Sequence, residues 1–183
     1  VLWKFRDDDY SGKSWSKPYV GKIRYYDGTS TIDRWVIIVA GGMAFNNENS
    51  SDTEGKAVFV IDASSGELIW MIGYNAAGSD EDNATAYIDT VADGSGKRYL
   101  TKNAEFNYPI PSAITPIDRD SDGFFDSIYF GNVAGHLFKT DISAKNPSDW
   151  KTYQLFKKDN STYTAQAQVS SVSTSSSSSG LRV

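Results

Sequence analysis

The chain has 183 residues, a formal net charge of -5, and a composition that is 39% hydrophobic and 14% aromatic, which suits a real core and not a compositionally disordered chain. Acidic balance with scattered lysine and arginine argues against nucleic acid, which demands a concentrated basic face, and no apolar run approaches the ~20 residues that span a bilayer. There is no cysteine, which removes thiol catalysis, cysteine zinc sites and disulfides together, and fits a reduced cytoplasm as well as a Gram-negative exterior.

In chain order, "VLWKF" resembles the later "LIWMI" and reads as the last strand of a repeating unit. A proline-bearing segment, "WSKPYV", follows, and then "RWVIIVAGG", "KAVFVID" and "GELIWMIG". Each of these three is short, rich in β-branched and aromatic residues, and bounded by Gly, Asp, Asn or Ser, the pattern of strands and turns. The next stretch, "YNAAGSDEDNATAYIDTVADGSGKRYLTKNAEFNYPIP", is polar and long for a connection. It is expected to form a peripheral loop with a small hairpin from "TAYIDTVAD" and "GKRYLTKN". "AITPID", "DSIYFGN" and "GHLFKTDI" resume the strands, and "YTAQAQVSS" and "GLRV" read as the start of a further unit, joined by the low-complexity loop "VSTSSSSSG". No stretch carries a helical apolar period over three turns, so the fold class is all-β.

The strands repeat. "VFVIDASSGELIWMI" and "LFKTDISAKNPSDWKTYQL" share an F-x-x-D core, Phe59/Asp62 and Phe138/Asp141, followed by a turn and an aromatic-bearing strand. An apolar strand ending in Gly precedes each, and a proline segment precedes that. Four short strands per repeat is the pattern of a β-propeller, although a meander or sandwich shows the same alternation. The expected fold is therefore a partial β-propeller of four-stranded antiparallel blades. Residues 1–15 would end one blade, 16–72 would form a blade, 73–110 a long inserted loop, 111–158 a second blade, and 159–183 the start of the next. Both ends cut through units, so the chain reads as a fragment of a longer one.

The stretch "DRDSDGFFD" sets Asp118, Asp120, Asp122, Gly123 and Asp126 at D-x-D-x-D-G-x-x-D spacing. Carboxylates this crowded repel unless a cation relieves them. Positions 1, 3 and 5 supply carboxylates, Gly at 6 allows the sharp turn, the Phe124 carbonyl at 7 can point inward, and Asp126 at 9 completes the sphere. Oxygen donors alone in a flexible loop suit Ca²⁺. Position 12 is Tyr129 and the flanks are strands, which is not an EF-hand. The bland alternative is an Asx-turn with solvated carboxylates.

Smaller signals point to structure. His136 is the only histidine and no G-x-S-x-G elbow is present, so a surface or packed role is expected in place of a catalytic one. Asp7–Asp9 lack a turn glycine and read as a solvated loop; "NNENSSD" reads as a polar hairpin tip. Trp3, Trp15, Trp35, Trp70 and Trp150 sit in or beside repeated strands, so core packing is expected for most of them. The sequons at Asn49, Asn83 and Asn160 read as background.

Taken together these segments resemble the C-terminal propeller domain of the PilY/PilC proteins of type IV pili. "VLWKF…SWSKPYV", "RWVIIVAGGMAFN", "AVFVIDASSGELIW", "PSAITPIDRDSDGFFDSIYFGNVAGHLFKTDI" and "YTAQAQV" carry the likeness over nearly the whole chain. The chain departs from the family pattern at Asn132, Phe138, Lys139 and Ala167. The resemblance implies a non-enzymatic, calcium-binding protein at the pilus tip or outer-membrane surface, reached through the periplasm. Its implied partners are minor pilins and, through regions absent here, host or abiotic surfaces; its implied roles are pilus assembly, adhesion and twitching motility. Two rivals share features. "DASSGELIW" (Asp62–Trp70) also resembles the tryptophan-docking motif of pyrroloquinoline-quinone dehydrogenases, whose calcium ligands are far apart in sequence. An integrin-like or polysaccharide-binding repeat module would share the calcium loop.

Overall fold

The computed structural model describes residues 2–43, 53–79, 87–94 and 96–158, and these are all-β. "NNENSSD", the three sequons, "VSTSSSSSG" and the two segments expected to start a further unit lie outside the described residues.

The first sheet begins as an antiparallel meander of β1 (Tyr19–Tyr26), β2 (Thr31–Ala40), β3 (Ala57–Asp62) and β4 (Leu68–Ser79). Side-chain alternation sorts its faces: Val36, Ile38 and Ala40 of β2 are buried, while Asp33 and Trp35 face outward. All six residues of β3 are buried, which is why "AVFVID" shows no alternation.

The polar segment after β4 is a correction to the sequence reading. Its hairpin forms, from β5 (Val91–Ala92) and β6 (Arg98–Thr101), but it is not peripheral. β6 pairs in parallel with β4, from Met71 opposite Arg98 to Tyr74 opposite Thr101. The sheet thus has six strands in the order β1-β2-β3-β4-β6-β5, one pair of them parallel, and is not a four-stranded antiparallel blade. Without β6 the outer edge of β4 would present unpaired peptide groups; the pairing brings Leu100 and Thr101 into buried positions beside it.

The second sheet is a four-stranded antiparallel meander of β7 (Thr115–Ile117), β8 (Ser127–Gly131), β9 (Leu137–Asp141) and β10 (Lys151–Phe156). Pro116 lies in β7, an edge strand, where its missing N–H costs no ladder bond. One of two 3-10 turns among the described residues, Ala104–Phe106, is capped by Asn103, whose side chain accepts from the amides of Glu105 and Phe106. That cap aims Phe106 at Phe130 and Phe138 of the second sheet, with ring centroids 6.0 and 5.2 Å away.

One apolar cluster joins both sheets, from Ile23, Val36, Val60, Trp70 and Ile72 to Ile128, Phe130, Phe138 and Trp150. A smaller cluster lies around Phe59, Ile61 and Met71, covered by Trp3, Phe5 and Tyr10. The opening segment is therefore packed, yet residues 2–5 form no strand. Trp3 instead donates its Nε1–H to the Ala63 carbonyl at 3.1 Å, and Phe5 meets Phe59 edge-on at 5.2 Å.

One further expectation is overturned by tertiary packing. Asp7 is buried, not solvated: its Oδ1 accepts from the amides of Asp9 and Tyr10, and its carboxylate pairs with Arg98 of β6. Core packing does hold for most of the tryptophans: Trp70 and Trp150 are buried and Trp3 packs against the smaller cluster, while Trp15 is 65% and Trp35 56% exposed. Trp35 lies on the outward face of β2, where the Lys22 ammonium sits 5.1 Å from its ring.

Candidate metal centre

The acidic loop connects β7 to β8, and its own carboxylates shape it. Asp118 accepts two amides, Ser121 at 2.7 Å on Oδ1 and Gly123 at 2.8 Å on Oδ2. Asp126 Oδ2 accepts from the Arg119 amide at 2.6 Å, which closes the loop end to end. Gly123 sits at φ 91°, a conformation that L side chains rarely adopt, so the glycine at position 6 is required by the backbone. Ser121 is also left-handed, at φ 63°.

This geometry brings together Asp118, Asp120 and Asp126, each with a carboxylate oxygen within 4.8 Å of the other two. Oxygens 2.3–2.6 Å from one Ca²⁺ lie at most about 5 Å apart, so the three can share an ion. Their bonds to amides do not compete, since a carboxylate oxygen has a second lone pair. Asp122 stands outside this group: its Oδ1 accepts from the Phe124 amide at 2.9 Å. For Phe124 the structure fixes the amide, through that bond, and the ring. The donor set is all oxygen, three-fold anionic and half-open to solvent, which fits Ca²⁺.

The loop does not stand alone. Arg24 of β1 lies over the Phe124 ring, 4.1 Å from its centroid, and the Phe125 amide donates to the Lys22 carbonyl at 2.8 Å. Arg24 is itself aimed by Asp33, which accepts from its Nε at 2.7 Å and Nη2 at 3.2 Å. The hydrogen bond to Asp33 chiefly, then the nearby charges of Asp33 and Asp122, raise the guanidinium above its ordinary value. These contacts span about a hundred residues of chain, and no local motif marks Gly21, Lys22 or Arg24 in the sequence.

The other singled-out residues are structural. His136 is buried; its ring packs against Tyr108 and Phe138, and its Nδ1 donates to the Glu105 carbonyl at 3.0 Å. Asn132, one of the departures from the family pattern, donates to the same carbonyl at 2.6 Å. Trp70 meets Trp150 across the sheets, 5.5 Å between centroids, and so serves as a packing residue.

No family model matches the chain, and no solved structure matches it. It is 28% identical over 153 residues to a Xylella fastidiosa (strain Temecula1) protein described as a type IV pilus biogenesis factor PilY1 homolog. That similarity supports a relationship to PilY1-type pilus proteins. The match covers 82% of this chain but 8% of that protein, so the chain spans a small part of its relative. No helix among the described residues is long and apolar enough to cross a membrane.

Proposed function

We propose that the chain is a non-enzymatic, calcium-binding part of a β-propeller in a PilY-type pilus protein, and that it supports pilus assembly, twitching motility and surface attachment. The observation that carries the reading is the 28% identity to a pilus biogenesis factor, spread over 82% of the chain. The three-carboxylate group between β7 and β8 supports the calcium part. Two adjacent sheets with one shared core, each containing a four-strand meander, support neighbouring blades. The β5–β6 hairpin is then an addition to the outer edge of the first blade.

In this reading Asp118, Asp120 and Asp126 hold the cation, with Asp122 and the Phe124 carbonyl completing its shell. Bound calcium neutralises the clustered carboxylates. Asp118 and Asp126 hold the loop backbone through the amides of Ser121, Gly123 and Arg119, and so hold the turn between two strands. The partners are minor pilins at the pilus tip, and the location is extracellular. An ordered loop would bias how the domain engages the pilus.

The test is a calorimetric calcium titration of the chain and of its Asp122→Ala, Asp126→Ala variant. Surface piliation and twitching are then assayed in a bacterium carrying the same variant in the whole protein. One-site binding that the variant loses, with reduced piliation, is the expected outcome. Calcium binding indifferent to the substitutions sinks the metal reading, and normal piliation by a variant that cannot bind sinks the functional one.

A further inference from the structure

Resting on the calcium reading above, we infer that strand β1 of the first sheet positions the cation loop of the second. Gly21, the Lys22 carbonyl and Arg24 then act as positioning residues for an ion they do not touch. Three contacts converge on the two phenylalanines that lie between Gly123 and the last carboxylate donor. A Cβ added at Gly21 would lie 2.1 Å from Cε2 and 2.2 Å from Cζ of Phe125, so only glycine leaves room for that ring. One strand position on, the Lys22 carbonyl accepts the Phe125 amide at 2.8 Å. Two further on, the Arg24 guanidinium covers the Phe124 ring at 4.1 Å, held there by its two bonds to Asp33.

The consequence follows from where these contacts fall. Phe124 supplies the expected carbonyl donor, and Asp126 begins two residues later. Pinning the rings and the amide of 124–125 to β1 fixes the backbone between two donors, so less ordering remains to be done when the ion binds. Asp126 is anchored on its other side by its amide, which donates to the Ile117 carbonyl at 2.9 Å, and by its carbonyl, which accepts from Ile142 at 2.8 Å. Among the described residues, no backbone bond from outside the loop anchors the exposed arc from Arg119 to Gly123. Coupling is reciprocal: if the β1 contact raises calcium affinity, calcium raises the stability of the contact by the same factor. The ion would then tighten the junction between the sheets.

The test combines calorimetry with amide hydrogen exchange on the purified chain. Calcium should slow exchange at the Phe125 amide, the donor that crosses to β1, and should do so without any substitution. Gly21→Ala should weaken calcium binding about fivefold or more, the low end of ordinary coupling between sites. Because that variant can also misfold, Arg24→Gln provides a second arm at an exposed position. Its sign discriminates: removing a positive charge beside an acidic loop tightens cation binding by Coulomb's law alone, whereas loss of positioning loosens it. Weaker binding in Arg24→Gln with slowed Phe125 exchange in the unmodified chain supports the inference. Unchanged or tighter binding in Arg24→Gln, or Phe125 exchange indifferent to calcium, overturns it while leaving the metal reading intact. No calcium binding by the unmodified chain overturns both.

Discussion

The indole rings of Trp70 and Trp150 meet 5.5 Å apart, tilted by 56°, where the two sheets share their core. One comes from β4 and the other precedes β10, and each is nearly fully buried. They differ in one respect. Trp150 donates its Nε1–H to the Ala144 carbonyl at 2.7 Å, whereas Trp70 Nε1 has no hydrogen-bond partner among the described residues. Either residue replaced by Ala should cost about 3–5 kcal/mol, the usual range for a buried aromatic. Trp70→Phe should be milder than Trp150→Phe by about 1 kcal/mol, the worth of the hydrogen bond that only Trp150 loses. Urea unfolding of the four variants checks the order.

The aromatic wedge of the inserted segment gives a second prediction. Phe106 is fully buried and touches Phe130 and Phe138, so it fastens the 3-10 turn to the second sheet. Phe106→Ala is expected to cost about 3–5 kcal/mol and Phe106→Leu roughly half that. Equal, small losses in denaturant unfolding would show that the turn is not anchored this way.

Calcium should stabilise the folded chain by mass action, about 2.7 kcal/mol at a hundredfold excess over Kd, read as a rise of several degrees in Tm. The loop variants should separate two roles. Asp118→Ala should lower Tm even with chelator present, because the amides of Ser121 and Gly123 lose their acceptors. Asp120→Asn keeps the oxygen that accepts from the Asp122 amide, so it should leave the chelated Tm unchanged and reduce the calcium-induced rise alone.

Acid stability provides a fourth test. Burial opposes ionisation of Asp62, but the Ser64 hydroxyl, the amides of Ser65 and Ser64, and Arg34 outweigh it and hold the carboxyl below its ordinary value. Glu105 is lowered in the same way, against burial, by Lys157 foremost. A depressed folded pKa stabilises the protein above the unfolded value, near 4, and that contribution disappears as pH falls through the folded value. Stability should therefore hold from neutrality to about pH 5 and decline below it. Asp62→Asn, which retains an acceptor oxygen, should make that decline shallower in denaturant titrations between pH 5 and 3.

Much of this was legible from the chain itself because it depends on local order. Strand type, β-branched content and turn residues marked the meander strands, and D-x-D-x-D-G-x-x-D spacing marked the loop. Asp118, Asp120 and Asp126 converge because a left-handed glycine and side-chain-to-amide bonds within nine residues bend the backbone around them. Asp122 shows the limit of spacing: its carboxylate turns to a nearby amide, a choice of side-chain torsion that sequence does not encode.

What the sequence could not decide involves partners far apart along it. Val91–Ala92 and Arg98–Thr101 looked like a hairpin, but only the free edge of β4 made them part of the first sheet. Asp7 looked like one of three solvated acids until Arg98 met it. Trp35 looked like core because its strand is apolar, and the two-residue alternation of β2 puts it outside. Gly21 looked unremarkable until Phe125 was seen against it. Short-range geometry is set by torsions and neighbouring hydrogen bonds, which composition and spacing express. Which surface covers which edge is set by burial of whole sheets against one another, and that is settled only when the chain is folded.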